Sequence, residues 1–189
     1  MISRNRGLPY KYILNELPVA ATPIFVDAST SWGVGGINGR DFFSVPHTLL
    51  RPHMRSCPGW EAYPRVPIAW LELLAAYIAV RRFASRYPSH LVILYTDNSN
   101  VVSWLGTRRS PHAVVCSLVS AIECIKYRHS LKLSVRFIPS DQNRTADLLS
   151  RSVVPGWLQS RGSPFTPHMV GIAYAADRNN IRDLWTSSL

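Results

Sequence analysis

Three short runs of apolar residues open the patterned part of the chain, at 24–29, 32–37 and 41–45. Each is too short for a helix. Asn38-Gly39, between the second and third, accepts positive φ at both turn positions, so the spacing predicts an antiparallel meander of three strands. Further on, Ile68, Leu71, Leu74, Ala75, Ile78 and Phe83 recur at helical spacing and predict a helix over 68–86. Arg81, Arg82 and Arg86 suit its C-terminal end and Pro88 stops it. Residues 91–96, Leu-Val-Ile-Leu-Tyr-Thr, form an unbroken apolar strand of the kind covered on both faces. A short helix at 101–105, a basic turn at 106–111, a long helix at 112–128, an alternating strand at 131–138, a loop at 139–143 and a helix at 145–151 complete the pattern. The order β-β-β-α-β-α-α-β-α predicts an α/β fold with a mixed sheet: three antiparallel meander strands, then two strands reached through helices.

The remaining stretches lack periodicity. Residues 1–22 are polar and basic and read as a linker or extension. Residues 46–67 hold Pro46, Pro52, Pro58, Pro64 and Pro67, which predicts a long insertion without regular helix. Residues 153–189 are rich in Pro, Gly and Ser and read as a C-terminal extension, with a short helix expected at 179–187.

Composition narrows the class. The chain has 189 residues, 47% hydrophobic, enough for one domain of ordinary size with a buried core. No apolar run approaches the roughly 18–20 residues of a transmembrane helix, and the first residues lack the apolar core of a secretory signal. A cytoplasmic or nuclear location without a membrane partner is expected. Cys57, Cys116 and Cys124 are odd in number and lack CxxC spacing, which predicts buried free thiols rather than a disulfide framework or a zinc site. The net charge of +10 points to a polyanionic partner, nucleic acid above all, against the alternative of plain solubility charge.

Four of the eleven acids stand in contexts that invite chemistry. Asp27 is a lone charge inside an apolar strand, where carboxylates are rarely buried unless paired or bound to metal. Glu72 interrupts the apolar part of the first long helix. Asp97 ends the buried strand, and Asp147 stands near the start of the last helix. Each has an ordinary structural reading too: Asp97 as a helix cap, Asp147 as a partner of the helix dipole, Glu72 as an exposed helical residue. If the first and fourth strands are neighbours, Asp27 and Asp97 lie side by side and the first helix aims Glu72 at the same point. Such a cluster repels itself unless cations neutralise it. An all-oxygen donor set suits Mg²⁺ or Mn²⁺, and two such ions are an arrangement for in-line phosphodiester hydrolysis.

Asp27-Ala-Ser29 with Trp32-Gly33, Leu71-Glu72-Leu-Leu-Ala75, Tyr95-Thr-Asp97-Asn-Ser99 and Ile138-Pro-Ser-Asp-Gln-Asn143-Arg-Thr-Ala-Asp147-Leu-Leu-Ser-Arg151 together resemble the ribonuclease H domain of retroelement reverse transcriptases, over residues 23–152. The nearest flavour is that of long-terminal-repeat or tyrosine-recombinase retrotransposons and hepadnavirus-like polymerases. The resemblance implies a ribonuclease H-like fold, a five-stranded mixed sheet with helices on both faces. It implies Asp27, Glu72, Asp97 and Asp147 as catalytic, metal-binding carboxylates for two Mg²⁺ ions, with Mn²⁺ as substitute. The implied activity is endonucleolytic cutting of the RNA strand of RNA–DNA hybrids, beside a reverse transcriptase domain of the same polyprotein. Ser29, Asn98, Ser99 and Asn143 match substrate-side positions, and Arg108 and Arg109 offer a short basic handle. The family's loop histidine is replaced by Phe137, six residues before Asn143.

Two other classes share the fold. A connection-type module grips hybrid without cutting it, and an integrase or exonuclease orders its acids differently.

Overall fold

The computed structural model describes residues 21–39, 41–54, 67–84 and 86–159 of the chain. The meander predicted from the alternating runs forms as β1 (Ala21–Ala28), β2 (Gly33–Asn38) and β3 (Asp41–Pro46). Gly39, at φ 60°, lies in the turn between β2 and β3; Asn38 does not share its positive φ but ends β2, paired with Asp41, which corrects the expectation that both adopt it. Two more strands, β4 (Leu91–Thr96) and β5 (Lys132–Phe137), join in parallel, and the sheet order is β3-β2-β1-β4-β5. The strand β1 starts at Ala21, inside the stretch expected to be linker. Residues 1–20, the expected helix at 179–187, and Cys57 lie outside the described residues.

The helices are α1 (His47–Met54), α2 (Ile68–Ala84), α3 (Ser99–Thr107), α4 (Ala113–Arg128), α5 (Arg144–Ser150) and α6 (Gly156–Gln159). They cover both faces of the sheet. On one face α2, α3 and α4 pack over Ile24, Val26, Val92 and Leu94. On the other, Ala146 and Leu149 of α5 and Leu158 of α6 pack over Phe25, Ile37, Ile93 and Tyr95. Alternate residues of β1 and β4 thus feed two cores, which is why the 91–96 run is apolar throughout. Leu158 is 1% exposed, so the second core draws on the chain beyond Ser152.

The helix α1 corrects the expectation that 46–67 holds no regular helix; residues 55–66 lie outside the described set. Among the prolines only Pro52 falls inside α1, where its missing N–H forfeits a bond to the Thr48 carbonyl. Interior proline costs about 3 kcal/mol in a helix. Burying Leu50 offsets about 1.5–3 kcal/mol of that. The first turn is anchored as well: His47 N–H donates to the Trp32 carbonyl at 2.8 Å, and the His47 ring bonds the Ser29 carbonyl at 2.8 Å. The thiols of Cys116 and Cys124 are free but only half-buried, a second correction.

Candidate active site

The register of the sheet brings the acids together. In the β1–β4 pair Phe25 lies opposite Tyr95, and their rings stack at 4.8 Å. Two residues on, along each strand, come Asp27 and Asp97, at the C-terminal edge where sites in such sheets collect. The long, almost wholly buried helix α2 crosses β1 and β2 and carries Glu72 to the same edge. Carboxylate oxygens of Asp27, Glu72 and Asp97 lie within 4.8 Å of one another.

Two of the three are enclosed. Asp27 is 4% exposed and Glu72 3%. Glu72 Oε1 accepts a hydrogen bond from Ala28 N–H at 3.0 Å. Its Oε2 is enclosed and has no hydrogen-bond partner among the described residues. Burial, with the charges of Asp27 and Asp97, pushes the Glu72 carboxyl up to about 9, against the pull of the Ala28 N–H and the nearby Thr96 hydroxyl. Burial likewise raises Asp27 to about 7, helped by Asp97 and Asp147 and opposed by the Ser150 hydroxyl and Arg151. Burial first, and neighbouring negative charge second, favour the protonated form of each group. The donor set of oxygens without His or Cys, and the orphaned Glu72 Oε2, fit a hard divalent cation such as Mg²⁺ or Mn²⁺.

Asp147 is set apart. It is the fourth residue of α5, close enough to raise Asp27 yet outside the cluster of three. Its Oδ1 accepts from Arg151 Nε and Nη2, both at 2.8 Å, across one turn of helix. The ordinary readings of the other acids do not hold. Glu72 is buried, not exposed. Asn98, not Asp97, caps α3, accepting from Asn100 N–H at 3.0 Å. Asp97 instead accepts from the Ser140 hydroxyl at 2.5 Å.

The substrate-side residues divide. Ser29 follows Asp27 by two residues, is buried, and bonds Ser31 through its hydroxyl at 2.7 Å. Asn98 and Ser99 sit beside Asp97 at the start of α3. Asn143 is only 2% exposed; its amide donates to the Val26 carbonyl at 2.8 Å, tying α5 to β1 rather than facing outward. Arg108, in the left-handed region at φ 57°, and Arg109 are exposed at the far end of α3, about 13 Å along its axis from Ser99. Arg108 is partly taken up by Glu123 at 3.4 Å. Phe137 is exposed at the end of β5.

The donors Ser140 and Ser150 and the Arg151 clamp lie outside the predicted set. Arg151 stands four after Asp147, the helical spacing of an ion pair, and that signal is legible in the chain. Ser140 and Ser150 reach partners 43 and 123 residues away, which no local pattern reveals.

No protein-family model matches the chain, and no curated protein matches it in sequence. Solved structures do. RNase H1 from the halophilic archaeon Halobacterium salinarum aligns with a TM-score of 0.52 at 14% identity, covering 70% of this chain and 96% of its own. LC11-RNase H1, isolated from compost by a metagenomic approach, aligns at 0.52 and 16%, covering 72% and 96%. The N-terminal RNase H domain of a Mycobacterium tuberculosis protein, solved as a fusion with maltose-binding protein, aligns at 0.52 and 11%, covering 71% and 99%. At these identities the likeness is one of fold: the chain has the ribonuclease H fold, a five-stranded mixed sheet with helices on both faces.

Proposed function

We propose that this chain is a metal-dependent endonuclease that hydrolyses the RNA strand of RNA–DNA hybrids. The observation that carries the reading is the close-set cluster of Asp27, Glu72 and Asp97, two of the three buried, with Glu72 Oε2 lacking a hydrogen-bond partner among the described residues. The fold shared with three RNase H proteins supports it. Asp27, Glu72 and Asp97 would hold a divalent cation, Mg²⁺ in the first instance, and Asp147 on α5 would be the fourth carboxylate available to a second ion. Cations bound there supply the positive charge and Lewis acidity that phosphodiester hydrolysis needs.

The remaining work falls to the chain itself. Ser140 orients Asp97 through its hydroxyl. Asn98 and Ser99 border the cluster and offer amide and hydroxyl groups to the RNA 2′-hydroxyls, the feature that distinguishes RNA from DNA, while the buried Ser29 hydroxyl is held by Ser31 behind them. Arg108 and Arg109 take phosphates of the DNA strand, in keeping with the net charge of +10. The four acidic blocks and the Asn143-to-Arg151 motif support a retroelement setting, with a reverse transcriptase domain of the same polyprotein as partner. Among the described residues no helix is long and apolar enough to cross a membrane.

The test is a labelled RNA–DNA hybrid offered with Mg²⁺, beside single-stranded RNA and double-stranded DNA. Cutting of the RNA in the hybrid alone, lost in Asp97→Asn with the fold retained, is expected. Hybrid binding without cutting, together with a flat metal titration, would make the chain a binding module instead.

A further inference from the structure

The serine that ends α5 has no assigned role, yet it is fully buried and touches Asp27. The Ser150 hydroxyl lies 2.5 Å from Asp27 Oδ2 and 2.8 Å from the Asp147 main-chain carbonyl. Among the described residues it is the one hydrogen-bond donor to the Asp27 side chain. Two further devices press this turn of α5 onto the sheet. Gly35, the β2 partner of Asp27, has no Cβ; one built there would stand 2.4 Å from Ser150 N and 2.6 Å from the Leu149 carbonyl carbon. Ser44 of β3 donates to the Leu149 carbonyl at 2.5 Å. The backbone of α5 is therefore fixed against β2 and β3, and Ser150 is delivered to Asp27 from a rigid base.

We propose that Ser150 is a positioning residue for the cation site: its hydroxyl holds one oxygen of Asp27 and so fixes the direction in which that carboxylate meets a divalent ion beside Glu72 and Asp97. The hydroxyl has one proton for two acceptors, and the charged carboxylate is the stronger of them. With Oδ2 engaged, Asp27 cannot swing about its side-chain torsions, and the ion meets a carboxylate already turned to it. Hydrogen bonds to ligating carboxylates commonly set metal affinity in this way. The inference rests on the metal site proposed above.

The test is calorimetric titration of the full chain with Mg²⁺, beside thermal unfolding without metal. Ser150→Ala should weaken Mg²⁺ binding by about 10- to 100-fold. Ser150→Cys, of similar size with a weaker donor and no affinity for a hard ion, should fall between. Tyr87→Phe removes the 2.6 Å hydrogen bond to Asn38 Oδ1, which involves neither α5 nor a carboxylate. It should lower the unfolding temperature while leaving Mg²⁺ affinity unchanged. Wild-type affinity in a folded Ser150→Ala or Ser150→Cys chain would overturn the proposal. So would a loss of affinity in Tyr87→Phe that matches its loss of stability. Absence of Mg²⁺ binding by the wild-type chain would instead sink the metal site itself, and this inference with it.

Discussion

The acids of this chain meet two fates within one short stretch of space. Asp147 is half-exposed and its charge is answered by Arg151, four residues along the same helix. Asp41 on β3 is answered in the same manner by Arg86, and Glu123 on α4 by Lys126 and Arg108. Asp27 and Glu72 are enclosed and stand beside Asp97; among the described residues the one basic group acting on them is Arg151, on Asp27. Among the described residues, basic side chains pair with Asp41, Glu123 and Asp147, and none forms an ion pair with Asp27, Glu72 or Asp97. Burying like charges together costs stability unless something neutralises them. That expense is understandable where an ion from solution completes the site.

The largest predicted effect is on the cluster. Asp27→Asn should lower hybrid cleavage by about 1000-fold or more, the rate equivalent of roughly 4 kcal/mol of lost transition-state stabilisation. Single-turnover assays at saturating Mg²⁺ measure it, and retained cutting would overturn the assignment. Next comes Gly35→Ala. It forces a methyl group into the backbone of Leu149 and Ser150, with an expected loss of about 1–3 kcal/mol in denaturant unfolding. It should shift α5, and with it Asp147 and Arg151, while leaving Glu72 and Asp97 in place. Weakened Mg²⁺ binding in that variant would show that α5 governs the cluster from outside.

A third effect is on pH dependence. Asp27 at about 7 and Glu72 at about 9 hold protons in the folded chain that the unfolded chain has already released. Their contribution to stability is full below about pH 4, the ordinary carboxylate range. It is lost as pH rises through 7 and then 9. Metal-free chain should therefore become less stable from neutral pH to pH 9, and Mg²⁺ should stabilise it more at the alkaline end. Glu72→Gln should flatten the slope and raise metal-free stability at pH 9 by about 1 kcal/mol, some 2–4 °C. Thermal scans across pH decide it; a slope unchanged in Glu72→Gln would mean that the buried Glu72 carboxyl is not its source. The smallest effect belongs to the compensated acid. Arg151→Ala should cost no more than about 1 kcal/mol, as exposed pairs do.

How much of this is legible in the sequence follows from how local each signal is. The meander, the unbroken 91–96 strand and the two long helices are written in periodicity and in Gly39, all short-range features, whereas Asn38 ends β2 rather than entering the turn. The convergence of Asp27, Glu72 and Asp97 is legible because strand ends and one helix face have few places to go. The helix α1 is not, because the prolines of 46–67 count against a helix as a group while only Pro52 falls within it, and its anchors lie in the 29–32 loop. Asn143 matches a substrate position by motif, whereas its amide is spent on the Val26 carbonyl. The serines that orient Asp27 and Asp97 are products of the closed fold, invisible until α5 and the 140–142 turn are docked.

The most direct measurement is the anomalous diffraction of a crystal soaked in Mn²⁺. The account predicts density within coordination distance of Asp27, Glu72 and Asp97, with Asp147 released from Arg151 only if a second ion is present. An intact protein with no density among those three carboxylates, or with Mn²⁺ bound only elsewhere, would contradict it.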